Sequence, residues 1–369
     1  MNTSPRPLRV LHITASSELG GGPEHVWQLV RNLPDGVESF IAAPNREPYW
    51  PRFMETVGQS HLFAIPQRRF SLKSFFSLVR WLKAQRIDII HSHGRGAGMY
   101  GRPLALLSGA KSIHTFHGVH PPGSPLRNWV YSLIERTLGR VSRVFISVSH
   151  GERDLAVSFL GLPADRVQHI PNGVTVSGVF PNVWGKPFSI VHVTRFDPVK
   201  NSSWLVSLAC GLQAAGKQCR LVVIGEGEGR GAMQRAVKQA GVEDFFDFVG
   251  ARQDVRSLMR GAGCYVSASH REGLPLAVLE SQAEGVPGVL SDVVGNREAI
   301  ENDVTGFLYQ LNDVHGAVAC IARLMEDAEL WQRMSVAARQ RAKEMFSVER
   351  MAEETASCYF QIMQDGIAR

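Results

Sequence analysis

Short runs rich in branched and aromatic residues alternate with helical segments along nearly the whole chain, and the alternation begins twice. The first series is LRVLHIT, ESFIAAP, IDIIHSH, KSIHTFH and RVFISVS; the second is FSIVHVTRF, CRLVVIGEG, FDFVG, GCYVSAS and VPGVLSD. Between them, after Asn172, lies GVTVSGVFPNVWGKP, a loose stretch bearing glycine and proline. Strands separated by helices pair in parallel through helical crossovers, which puts helices on both faces of a sheet. The pattern predicts an α/β protein of two doubly wound, Rossmann-like domains, and 369 residues suffice for two cores. Their expected bounds are 1–178 and 187–345, joined near 175–187, with a helical segment 346–369 able to pack back on the first domain. In open α/β sheets ligands sit beyond the carboxyl ends of the strands, so two such sheets facing each other would line a cleft.

Composition narrows the partners. A formal charge of +6 and a pI near 9.2 favour an acidic one: a phosphate ligand, an anionic membrane or nucleic acid. No aromatic-plus-basic RNA motif is present, so nucleic acid is not expected. The five cysteines stand singly in apolar segments, which reads as buried free thiols with no disulfide and no zinc. No stretch reaches the roughly twenty apolar residues of a membrane span, and MNTSPRPLRVLHIT lacks the apolar region of a secretory signal. A cytoplasmic protein is expected, with contact at the inner face of the cytoplasmic membrane as an open question.

The stretch Arg271–Gly285, REGLPLAVLESQAEG, sets two glutamates on either side of an apolar run. Pro275 suits the first position of a helix. Gly273 and Leu274 stand where a Ser, Thr, Asp or Asn cap would normally be, so the first-turn N–H groups lack a local acceptor. A ligand diphosphate would satisfy them and the positive end of the helix dipole. Glu280 then lies roughly one and a half turns along, in reach of ribose hydroxyls. Solvated glutamates at the ends of a buried helix are the plainer alternative.

Taken with the N-terminal glycine loop, DIIHSHG, HTFHG, SVSHGERD, HIPNGV, TRFDPVKN and VVIGEG, this stretch resembles the retaining glycosyltransferases of family 4, whose fold is GT-B. The resemblance spans almost the whole chain and implies a bacterial polysaccharide or lipopolysaccharide enzyme. It implies transfer of a sugar from a nucleoside diphosphate sugar to a glycan or lipid-linked acceptor, with retention and without metal or other cofactor. A UDP-sugar is favoured and a GDP-sugar is the alternative. Residue by residue, it gives Arg195 and Lys200 to the diphosphate, Glu280 to the ribose and Glu272 to the transferred sugar. The backbone of Gly273, Leu274 and Leu276 falls where sugar and phosphate are held, and Val249 where the base is read. Two cations after a strand end can neutralise a leaving diphosphate.

In the first domain, Gly20, Gly21 and Gly22 follow a strand and open a helix, which lets backbone approach a ligand. The resemblance lays Gly21 and Gly22 over the donor phosphates and makes His117 the active-site histidine. His91, His93, His114 and His150 read as structural, and a zinc site among them finds no acidic or cysteine ligand at metal spacing. No Asp-x-Asp metal signature occurs either. The helix SLKSFFSLVRWLKAQR sets Leu72, Phe75, Phe76, Val79 and Leu82 among Arg68, Arg69, Lys73, Arg80, Lys83 and Arg86. That stripe fits packing on the first sheet better than an anionic bilayer, although both remain open. The loop GVHPPGSPLRNWVY, with Trp129, reads as a surface connection or an acceptor contact. Other classes sharing this architecture are a noncatalytic nucleotide-sugar-binding protein, a nucleotide-sugar epimerase and a pyridoxal-phosphate phosphorylase.

Overall fold

In a computed structural model of the chain, residues 6–121, 123–176, 178, 184 and 187–364 are described. Positions 177, 179–183, 185 and 186 of the expected joint lie outside them. Two compact units result: the chain up to Gly173 with the segment from Val348, and the chain from Val174 to Ser347.

The first unit is built on strands β1 (Leu8–Thr14), β2 (Val37–Ala43), β3 (Leu62–Ala64), β4 (Ile89–His93), β5 (Lys111–Thr115), β6 (Ser142–Ser147) and β7 (Val167–His169). All pair in parallel in the order β3-β2-β1-β4-β5-β6-β7. The central strands β1, β4 and β5 are buried on both faces, and where their apolar residues give way, in IIHSH and KSIHT, buried His, Ser and Thr side chains fill the sheet towards its carboxyl edge. Short β3 and β7 close the edges, and the sequence pattern did not announce either.

The second unit holds β8 (Phe188–Val193), β9 (Cys219–Ile224), β10 (Phe246–Gly250), β11 (Cys264–Ser267), β12 (Gly288–Ser291) and β13 (Gly306–Tyr309), ordered β10-β9-β8-β11-β12-β13 and all parallel. In both units the strand order reverses beside the first strand, the topological switch point at which such sheets bind ligands.

The last helix, Val348–Gln364, belongs to the first unit. Its Val348, Met351, Tyr359 and Ile362 bury against Val10, Ile89, Ile113 and Ile146 of the sheet. The helix Leu72–Gln85 buries Phe75, Leu78 and Leu82 against the same sheet, whereas Leu72 and Phe76 of the expected stripe stand exposed. Among the described residues no helix is long and apolar enough to cross a membrane. The five cysteines carry free thiols.

Candidate active site

In the second unit the chain leaves β8 into a loop that carries Arg195 and Lys200. Asp197 organises it: one carboxylate oxygen lies 2.9 Å from Arg195 Nη2, and the other accepts from the Lys200 backbone N–H at 3.0 Å. Below, buried His192 bonds the Val266 carbonyl at 2.9 Å and Ser202 Oγ at 3.0 Å, and Ser202 joins Thr194 at 2.6 Å. Burial pulls His192 down to about 4, so this network holds a neutral ring at neutral pH. Phe196 (φ 50°) and Asn201 (φ 49°), each directly after one of the cations, adopt the left-handed conformation that non-glycine residues rarely take. The turn after β9 presses against this loop. A Cβ on Gly227 (φ 154°) would lie 1.8 Å from the Arg195 carbonyl oxygen, so only glycine fits.

The strand β11 leads to the loop bearing Glu272, whose carboxylate pairs with Lys200 Nζ at 2.6 Å. Side-chain exposures of 22% for Lys200 and 12% for Glu272 make this a partly buried pair. The His270 N–H donates to the Val199 carbonyl at 2.9 Å and ties the two loops together. The next helix, Leu276–Ala283, starts one residue later than the sequence suggested: Pro275 is extended at the cap position, with no side-chain cap bond. Gly295, on the helix Val294–Ala299, allows that helix to touch this loop, since a Cβ there would lie 2.3 Å from the Gly273 carbonyl oxygen. Ser291 and Asn296 complete the support through bonds to Ser269 O and Ser291 O. Glu280 is half-buried within the helix, and Leu274 is buried. Val249 is the residue skipped where the β10–β9 register shifts, a bulge that releases its backbone from regular pairing. Arg195, Lys200, Glu272, Gly273, Leu276, Glu280 and Val249 thus share the carboxyl side of one sheet.

The first unit holds the remaining candidates. Gly21 and Gly22 begin the helix Gly21–Asn32, whose cap position, Gly20, supplies no side-chain acceptor. His117 follows β5 by two residues, half-buried, with its Nε2 buried and without a partner among the described residues. Its loop is fixed by the buried Glu152 carboxylate, which accepts from Gly118 N–H at 2.6 Å, Val119 N–H at 3.1 Å and Val148 N–H at 2.8 Å. Glu152 opens the helix His150–Ser158 three residues after the capping Ser149, so the Ser-x-x-Glu of SVSHGERD is the signal that could have located it.

Around His117 the sheet edge gathers imidazoles. His25 is centred 4.6 Å away and His93 5.9 Å away, with His12 and His91 beyond. Burial depresses them all: His12 to about 3, helped by His25; His25 to about 4 against an opposing bond from Asn172; His91, His93, His114 and His117 well below the usual 6.5. His91, read from the sequence as structural, is fully engaged, bonding Tyr359 Oη at 2.6 Å and Thr115 Oγ1 at 2.7 Å. His25 was missed because it sits inside a helix, and its partner Asn172 lies far along the chain, 2.9 Å away in space.

Comparison with known proteins follows the same division. Residues 19–177 match the family model described as Glycosyltransferase Family 4, and residues 180–341 match Glycosyl transferases group 1. The chain is 24% identical over 310 residues to the UDP-Gal:alpha-D-GlcNAc-diphosphoundecaprenol alpha-1,3-galactosyltransferase of Escherichia coli, covering 79% of this chain and 80% of that one. It is 28% identical over 344 residues to the putative glycosyltransferase EpsD of Bacillus subtilis, covering 85% and 90%. Among solved structures, Anabaena Alr3699/HepE in complex with UDP-glucose superposes with a TM-score of 0.83 at 16% identity, over 96% of this chain and all of that one.

Proposed function

Because the chain belongs to the GT-B glycosyltransferases of family 4 and group 1, of the bacterial polysaccharide type, we propose that it moves a sugar from a UDP-sugar to a lipid-linked glycan, with retention and without a metal ion. The observation that carries this reading is the Lys200–Glu272 pair, 2.6 Å apart beside an uncapped helix start, with Arg195 on the same loop and 61% exposed. An ammonium has three donors, so Lys200 can keep Glu272 and still reach a diphosphate. Glu272 then faces the transferred sugar, Glu280 the ribose and the Val249 bulge the base. Retaining hydrolases use two carboxylates about 5 Å apart to form a covalent intermediate. Carboxylates that grip opposite ends of one donor do not serve that chemistry. A front-face path fits better: as the glycosidic bond breaks, a departing phosphate oxygen accepts the acceptor hydroxyl's proton. Arg195, Lys200 and the helix end stabilise the charge left behind. For Gly21 and Gly22 the family resemblance supports a role towards the donor phosphates, and for His117 a role towards a sugar hydroxyl.

A lipid-linked acceptor draws support from the name of the Escherichia coli relative, an enzyme of a diphosphoundecaprenol substrate. Peripheral membrane contact draws support from the helix Pro125–Gly139, which exposes Leu126, Trp129, Val130, Leu133 and Ile134. Such a face suits a bilayer interface better than water. The test is release of nucleoside diphosphate from a panel of nucleotide sugars, with diphospholipid-linked saccharides in vesicles and excess chelator. A UDP-sugar should support turnover and glycosylate the lipid. Donor binding without release would indicate a noncatalytic sensor, sugar conversion without acceptor an epimerase, and loss in chelator rescued by Mg²⁺ a metal-dependent reaction.

A further inference from the structure

The histidines at the carboxyl edge of the first sheet do more than line it. We propose that His25, His93 and His117 form a binding site for a divalent transition ion, best suited to zinc, and that occupancy of this site switches the enzyme off by capturing the His117 ring. The inhibitory half rests on the active-centre role proposed for His117; the binding half does not.

Three elements converge on this point: the helix Gly21–Asn32 brings His25, the end of β4 brings His93, and the turn after β5 brings His117. Each can offer one ring nitrogen, and these nitrogens lie within 4.8 Å of one another. Zinc–nitrogen bonds of about 2.0–2.1 Å in a tetrahedron set ligand nitrogens roughly 3.3 Å apart, so no pair of the set need close by more than about 1.5 Å. The nitrogens have little other employment. His93 Nδ1 and His117 Nε2 are buried and have no hydrogen-bond partner among the described residues. A buried polar atom without a partner is costly, and a metal ion satisfies it.

The surroundings already orient the rings. Asn172 Oδ1 accepts from His25 Nδ1 at 2.9 Å, which fixes the hydrogen there and leaves the Nε2 lone pair as the ligand. His93 Nε2 lies 3.3 Å from His12 Nδ1, and the tautomer in which His93 Nε2 donates leaves His93 Nδ1 unprotonated. Histidines that bind metals are usually held this way, the second nitrogen donating to an outer partner. An all-imidazole set favours zinc, copper or nickel over magnesium, calcium or manganese. Nearby, His12, His91 and His93 also come within range, but both nitrogens of His91 are engaged by Tyr359 and Thr115. His117 is half-buried, and three protein ligands leave the fourth tetrahedral position to water.

The test uses the intact chain without a histidine tag, with Zn²⁺ titrated against a chromogenic chelator and the bound ion counted by X-ray fluorescence. One ion per chain is expected. His25→Ala and His117→Ala should each weaken it at least 100-fold, and Asn172→Ala about 10–100-fold, as for other outer partners of metal-binding histidines. His117 is half-buried, so its variant carries the test if His25→Ala fails to fold. Less than one ion per chain, or affinity unchanged in both histidine variants, overturns the site. In the transfer assay micromolar Zn²⁺ should inhibit, chelator should restore, and Mg²⁺ should do nothing. Full turnover with one zinc bound overturns the inhibitory role. A chain that binds zinc but never transfers sugar would refute the proposed function and leave the metal site standing.

Discussion

Replacing Lys200 by methionine separates what the Lys200–Glu272 pair does for stability from what it does for transfer. The substitution keeps most of the stem and deletes the charge. Glu272, 12% exposed, is left without the cation 2.6 Å away. Exposed pairs are worth about 0–1 kcal/mol and breaking fully buried ones costs about 3–5 kcal/mol, so this half-buried pair should cost about 1–3 kcal/mol. The effect on turnover should be larger, because the ammonium meets a diphosphate whose charge grows as the glycosidic bond breaks. Loss of one preorganised electrostatic donor suggests a fall in kcat of about 10²-fold or more. The double variant Lys200→Met/Glu272→Gln removes the stranded carboxylate charge, so it should regain most of the stability and none of the activity. Urea unfolding and steady-state UDP release on both variants provide the data. The reasoning fails if the double variant recovers kcat together with stability, or if Lys200→Met raises KM alone and leaves kcat intact.

Other perturbations reach separate parts of the account. Glu280→Ala should weaken binding of the donor and of free UDP by similar factors, measured by calorimetry; a loss confined to the intact donor would remove Glu280 from the ribose. Glu135→Ala leaves the Arg102 guanidinium, 0% exposed and paired at 2.7 Å, without its partner, and should cost about 3–5 kcal/mol in urea unfolding; a change below about 1 kcal/mol would show that Arg102 finds another acceptor. The buried histidines have folded pKa values lowered to about 3 for His12 and about 4 for His25, against 6.5 when unfolded. Unfolding therefore takes up protons below pH 6.5, and the stability these rings contribute is complete above that value and lost as pH falls toward 4. A flat unfolding free energy between pH 7 and 5 would contradict their burial as neutral rings.

What the sequence revealed depended on how local the cause was. Strands such as β1 and β9 were legible because Val, Leu and Ile are dense enough in LRVLHIT and CRLVVI to stand out from their flanks. β3, β7 and β13 escaped because LFA, VQH and GFLY are too short to show any period. The uncapped helix after Glu272 followed from the missing cap residue, although the helix starts after Pro275 rather than at it. The family resemblance gave Lys200 to the diphosphate, but its pairing with Glu272 arises only when β8 and β11 lie side by side. Asp197 was overlooked although its contacts are local, joining Arg195 and the Lys200 backbone within one turn, because no cap or motif signal marks it. The imidazole cluster is the extreme case, assembled from a helix, two strand ends and a residue after the last strand of the first sheet. Linear metal-site spacing says nothing about such a set.

The central claim is that the second unit grips a nucleoside diphosphate sugar by opposite ends and releases the diphosphate on the face that the acceptor attacks. The most direct measurement is the anomeric configuration of the product, read by proton NMR early in turnover with an α-linked UDP-sugar, a lipid-linked acceptor and excess chelator. An α-linked product, formed while UDP accumulates in equal amount, is the result predicted. A β-linked product would contradict the front-face path, since inversion needs a base opposite the diphosphate and gives the Lys200–Glu272 arrangement a different purpose.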